Sequence, residues 1–149
     1  MQLIRSFEKE GFAPVGLGLR VMLITKDTSD GHGSDGLLMR RLAGLGGQVE
    51  CQADLFAGLG RLLDDSFGFG LIVVDCDAFG GLDAVRRACM ALGAEAARVP
   101  VILISRDCAT QIFPTDRCAP IVLREPVSAV SLRVGFAHAL RDRLALRAS

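Results

Sequence analysis

Short unbroken runs of large apolar residues recur along the chain, and each ends on a polar side chain. Residues 71–74 (Leu-Ile-Val-Val) are the most pronounced and stop at Asp75. Residues 101–104 (Val-Ile-Leu-Ile) follow Pro100 and stop at Ser105, and residues 121–123 (Ile-Val-Leu) give way to Arg124-Glu125-Pro126. Residues 19–25 (Leu-Arg-Val-Met-Leu-Ile-Thr) form a run of the same kind, and residues 49–53 a weaker one. Three to seven residues without polar alternation, rich in β-formers, read as strands buried on both faces. Between them apolar residues return at helical spacing: Leu37, Leu38, Leu42 and Leu45, then Leu55, Leu59, Leu62 and Leu63, then residues 82–92, and last 127–146. Gly46-Gly47, Gly80-Gly81 and Gly93 punctuate these helices. Strands that alternate with helices build a parallel sheet covered on both faces, with right-handed crossovers. In such sheets function gathers at the carboxyl ends of the strands. Asp75, Ser105 and the Lys26-Asp27 loop all fall there.

Composition fits one domain of this type. The chain has 149 residues, 50% of them hydrophobic and 23% charged, which excludes a disordered chain. Lys+Arg and Asp+Glu are both 17, so no cationic excess is available for phosphate backbones, and no nucleic-acid partner is expected. No apolar run approaches the ~20 residues of a membrane span, so no membrane partner is expected either. Residues 1–10 are broken by charge and do not read as a signal peptide. The cysteines (Cys51, Cys76, Cys89, Cys108, Cys118) are odd in number and form no C-x-x-C pair, which points to reduced thiols and a cytoplasmic location. Residues 1–18 read as an appendage with Leu3, Ile4 and Phe7 at helical spacing, and residues 19–149 as the domain. Pro114 and Pro120 limit any helix between the last two strands to a turn or two.

The order and spacing of these elements resemble the receiver domain of two-component response regulators, over roughly residues 19–146. The third strand of that family ends on a phosphoacceptor aspartate before a Gly-containing loop, and residues 71–81 place Asp75 there. Its fourth strand ends on Ser or Thr, here Ser105. Its fifth ends on Lys-Pro, here Glu125-Pro126. Its first strand is followed by an acidic pair that holds magnesium, and here Thr25-Lys26 stand there with Asp27 next. The resemblance implies an α/β, flavodoxin-like three-layer sandwich with a five-stranded parallel sheet of order 2-1-3-4-5 and a shortened fourth helix.

The departures share an electrostatic sense. Phosphoryl transfer to an aspartate needs a metal to neutralise crowding oxygens, and Mg²⁺ prefers oxygen ligands. Thr25-Lys26 removes two carboxylates and adds an ammonium, leaving Asp27 and Asp75 for weak or absent metal binding. The family's strand-five lysine contacts the phosphoryl group, whereas Glu125 would repel it. Val122 takes the place of the family's aromatic rotamer switch. Lys26 either points to solvent or supplies the missing cation, pairing with Asp75. These residues imply a stand-alone degenerate receiver. It would be a non-enzymatic signalling or adaptor module of bacterial type, without a cofactor, working through a histidine kinase or other protein partner and as a homodimer. The alternatives are a phosphorylatable receiver with Asp75 as acceptor and magnesium bound, or a small flavodoxin-like ligand-binding or redox protein.

Other motifs carry less. Residues 31–36 match G-x-G-x-x-G, but five residues separate them from the strand, and Asp27, Asp30 and Asp35 oppose a pyrophosphate. Cys76 adjoins Asp75, whose charge disfavours a thiolate. Asp75 and Asp77 could act as an acid–base pair only with a substrate cleft across both. Arg133, Arg141, Arg143 and Arg147 suit the end of the last helix, or an acidic partner. His138 reads as a packing or surface residue.

Overall fold

The structure, a computed structural model, describes residues 18–26, 34–65, 68–91, 99–115 and 119–148, with residues 34–35 and 142–148 described by their backbone alone. Strand β1 (Arg20–Ile24) leads to helix α1 (Ser34–Gly44), β2 (Gln48–Gln52), α2 (Leu55–Asp64) and β3 (Leu71–Asp75). A 3₁₀ turn (Cys76–Phe79), α3 (Leu82–Met90), β4 (Val101–Ser105), β5 (Ile121–Arg124) and α4 (Ala129–Ala148) follow. All strand pairs are parallel and the sheet order is β2-β1-β3-β4-β5. This is the expected flavodoxin-like arrangement.

Alternation along the strands divides the core into two layers. Val21, Leu23, Val73, Ile104 and Leu123 meet Leu38 and Leu42 of α1 and Leu132 and Phe136 of α4. Met22, Ile24, Ile72, Val74 and Leu103 meet Leu59 and Leu62 of α2 and Val85 of α3. Gly58 brings α2 close to β1, because a Cβ there would stand 2.7 Å from Ile24 Cδ1 and 3.3 Å from Met22 Sδ. Asp54 starts α2 by accepting a 2.8 Å hydrogen bond from the Ala57 N–H.

The expected short fourth helix is reduced further. Among the described residues no helix stands between β4 and β5. Ile112 instead pairs antiparallel with Val122 along the outer edge of β5, through bonds of 2.9 and 3.0 Å. Gln111 fastens this segment, accepting from the Arg124 N–H at 3.1 Å and lying 3.2 Å from the Ser131 hydroxyl of α4. Phe113 packs on the core edge-on to His138, whose Nε2 lies 2.6 Å from the Pro114 carbonyl. Two prolines and a backbone committed to β5 leave this stretch little room to be helical.

Candidate functional site

The carboxyl ends of β1, β3, β4 and β5 converge as expected. Asp75 closes β3, and the chain at once turns through the 3₁₀ segment that carries Asp77. Gly80 and Gly81 then take φ of 95° and 99°, which favours glycine. Ser105 closes β4 and is fully buried. The Glu125 N–H donates to the Ser105 carbonyl at 3.1 Å, fixing the chain just beyond β5. The Glu125-Pro126 peptide is cis. The ladder sets Ile24 level with Val74, so Thr25 and Lys26 are the first residues past β1.

Asp77 is the hub. The Ser105 hydroxyl donates to Asp77 Oδ1 at 2.6 Å and the Arg106 N–H to Oδ2 at 2.9 Å. Ser105 Oγ in turn accepts from the Asp107 N–H at 3.1 Å. One carboxylate oxygen from each of Asp75, Asp77 and Glu125 lies within 4.8 Å of the others. Arg106 approaches Glu125 at 3.8 Å, although its own side chain is largely exposed. Burial, the charges of Asp75 and Asp77, and a hydrogen bond with Asp77 push the Glu125 carboxyl up to about 6. Burial also works to raise Asp77, but the Ser105 hydroxyl and the Arg106 N–H outweigh it and hold that carboxyl below its usual range.

The expected site residues are therefore partly assembled. Asp75, Ser105 and Glu125 sit at one end of the sheet, with Pro126 beside them. Lys26 is exposed, its Nζ 5.6 Å from the centre of the Phe79 ring. Asp27 lies outside the described residues, as do residues 31–33 of the G-x-G-x-x-G stretch and residues 1–17. Val122 is buried, and its N–H and C=O are taken by Ile112. Arg106, and not the neighbouring Arg124, meets Glu125. Asp77 is more central than its reading as half of an acid–base pair with Asp75 suggests. Its place two residues beyond a buried strand end, next to a turn, was the available signal. Burial pushes the Cys76 thiol up to about 12, which works against a reactive-thiol role.

Magnesium held in the receiver manner needs carboxylates after β1. The described residues there offer a hydroxyl and an ammonium, so they do not fit that cation. The oxygen donors lie on the other side of Asp75, toward β5. Among the described residues no helix is long and apolar enough to cross a membrane.

No protein-family model and no curated protein sequence matches the chain. Solved structures do. A response regulator receiver domain protein from Clostridium thermocellum superimposes with TM-score 0.62 at 17% identity, over 86% of this chain and 98% of that one. A receiver domain protein from Bacillus halodurans gives TM-score 0.57 at 13% identity, over 81% and 96%. The response regulator PhyR from Brucella abortus gives 0.59 at 15% identity, and this chain, 98% covered, spans 56% of it. With its sheet order and its strand-end site, the chain has the fold of a response-regulator receiver domain.

Proposed function

We propose that this chain is a degenerate receiver that signals by protein–protein contact and is not switched by magnesium-dependent phosphorylation of Asp75. The observation that carries this reading is the Glu125 carboxylate, within 4.8 Å of Asp75 and Asp77, at the end of β5 where the family has a lysine. A phosphoryl group on Asp75 would add negative charge to a site that already gathers three carboxyls. Thr25 and Lys26 in place of an acidic pair act in the same direction, since they remove the carboxylates that would hold magnesium. The pocket then holds one state, and information passes through surfaces.

The surface that favours self-association is the face around β5 and α4. Val130 and Val134 are exposed one helical turn apart, and Ile112 is exposed at the sheet edge. A homodimer through this face accompanies the reading, with a histidine kinase or another signalling protein as the further partner. The experiment is incubation with acetyl phosphate and magnesium, read by intact mass and on phosphate-affinity gels. The reading expects no Asp75-dependent product, and stoichiometric phosphorylation lost in Asp75→Ala would sink it.

A further inference from the structure

We propose that residues 1–10 dock as an amphipathic helix on the outer face of α2 in the same chain, covering Phe56 and Leu63. This goes beyond the signalling reading, which concerns Asp75 and the face around β5 and α4, and does not depend on it.

The surface comes from α2 itself. The helix buries Leu55, Leu59 and Leu62 against the sheet. Phe56 and Leu63 take no part in that packing and are 73% and 45% exposed. They stand seven residues apart, so two helical turns separate them on one side of the helix. Gly60 lies between them, with nothing within 4 Å of a Cβ built on it, so the stripe is open along its length. A second apolar stripe beside the one that faces the core marks a contact surface.

The occupant is argued from where the described chain begins. The Gly18 N–H donates to the Gly46 carbonyl at 3.0 Å, and the Gly70 N–H to the Arg20 carbonyl at 2.8 Å. The Arg20 guanidinium reaches Asp65 at 3.4 Å and lies 4.4 Å from the centre of the Phe69 ring. The segment before β1 therefore joins the domain at the end of α2, where Leu63 is two residues from Asp65. Residues 1–10 carry Leu3, Ile4 and Phe7 at helical spacing, an apolar face that a helix so short needs to bury before it is stable in water. Gly11, Pro14 and Gly16 separate it from β1. Residues 8–17 extended span up to about 33–36 Å, and α2, with ten residues, is about 15 Å long. Leu3, Ile4 and Phe7 can thus lie along the whole stripe.

The exposed apolar residues elsewhere fit this segment less well. Val130 and Val134 lie in the first turns of α4, which follows the carboxyl end of β5. Gly18 precedes the amino end of β1, at the opposite end of the sheet and three strands away. Charge favours α2 as well. Asp64 and Asp65 are exposed at its end, and the segment carries Arg5 and Lys9 one turn apart. Such exposed pairs add little energy, but they set orientation.

The test compares amide NMR spectra of the ¹⁵N-labelled full chain with those of Phe7→Ser and Phe56→Ser. We expect reciprocity. Phe7→Ser should shift the α2 amides around Phe56, Gly60 and Leu63, and Phe56→Ser should shift those of residues 3–9. Hydrogen exchange at residues 4–8 should be about tenfold slower in the parent than in Phe56→Ser. Both changes should be the same across about a tenfold range of protein concentration, and Val134→Ser should produce neither. The proposal is overturned if Phe7→Ser leaves the α2 amides in place or moves those around Val130 and Val134 instead. Shifts at Phe56 that grow with protein concentration would assign the stripe to a second copy and overturn it too. Because Phe7 lies outside the domain, its variant keeps the test decisive even if Phe56→Ser disturbs α2. Phosphorylation of Asp75, the failure of the signalling reading, is a separate readout from these signals.

Discussion

The Ser105 hydroxyl donates its proton to Asp77 across 2.6 Å, joining the end of β4 to the turn after β3. Ser105 thus holds a permanent carboxylate of the chain, not one that comes and goes with phosphorylation. Its Oγ also accepts the Asp107 N–H, so one buried hydroxyl secures two loops at the rim of the site.

Replacing Ser105 by Ala removes both bonds at once. A buried hydrogen bond to a charged group contributes about 1.5–3 kcal/mol, and a neutral one about 1. We expect a loss of about 2 kcal/mol in chemical denaturation. The Asp77 carboxyl should also rise toward its ordinary range in a carboxyl NMR titration. An unchanged Asp77 titration would mean that Ser105 does not hold it.

The raised Glu125 carboxyl has a consequence for stability. Folded Glu125 keeps its proton up to about 6, while the unfolded chain gives it up near 4.5. Within that window the folded state binds the extra proton, so stability falls as pH rises from 4.5 to 6 and the loss persists above it. Solvent screening keeps the loss below about 1 kcal/mol. Denaturant midpoints measured in EDTA should show this slope, and Glu125→Gln should flatten it. Asp77 works the other way: its lowered carboxyl favours the folded state until acid reaches below the ordinary range. A slope of opposite sign between pH 4.5 and 6 in the parent chain would place Glu125 elsewhere.

Gly58 tests how closely α2 lies on the sheet. An added Cβ would meet Ile24 Cδ1 at 2.7 Å and Cγ1 at 3.0 Å, and Ile24 is fully buried. Overpacking of this kind costs about 1–3 kcal/mol, against a gain of up to about 1 from better helix propensity. Gly58→Ala should lower stability, while Gly60→Ala, which has open space around it, should raise it. Equal effects at the two positions would contradict the packing described.

The strands were legible because burial on both faces leaves an unmistakable run of β-branched and other apolar residues. The run 71–74 ending on Asp75 marked the third strand and its carboxyl end. The sheet order followed from the resemblance and not from the runs themselves. Glu125 was legible through the same resemblance, since Pro126 marked the strand end. The edge pairing of Ile112 was not legible. A single residue bonded to Val122 has no periodicity, and its neighbours Gln111 and Phe113 act through contacts distant in sequence. Asp77 was visible as a residue, but its importance depends on Ser105, 28 positions away, and on a backbone N–H that no pattern announces.

The most direct measurement of the central claim is an amide NMR spectrum with magnesium and then with magnesium and beryllofluoride, on the parent chain and on Asp75→Ala. The chain has no Trp or Tyr, so amides are the natural probes. The account predicts that beryllofluoride adds no Asp75-dependent shifts to those caused by the cation alone. Shifts that need Asp75 and spread through Ser105 into β4 and β5 would show a working phospho-switch and contradict it.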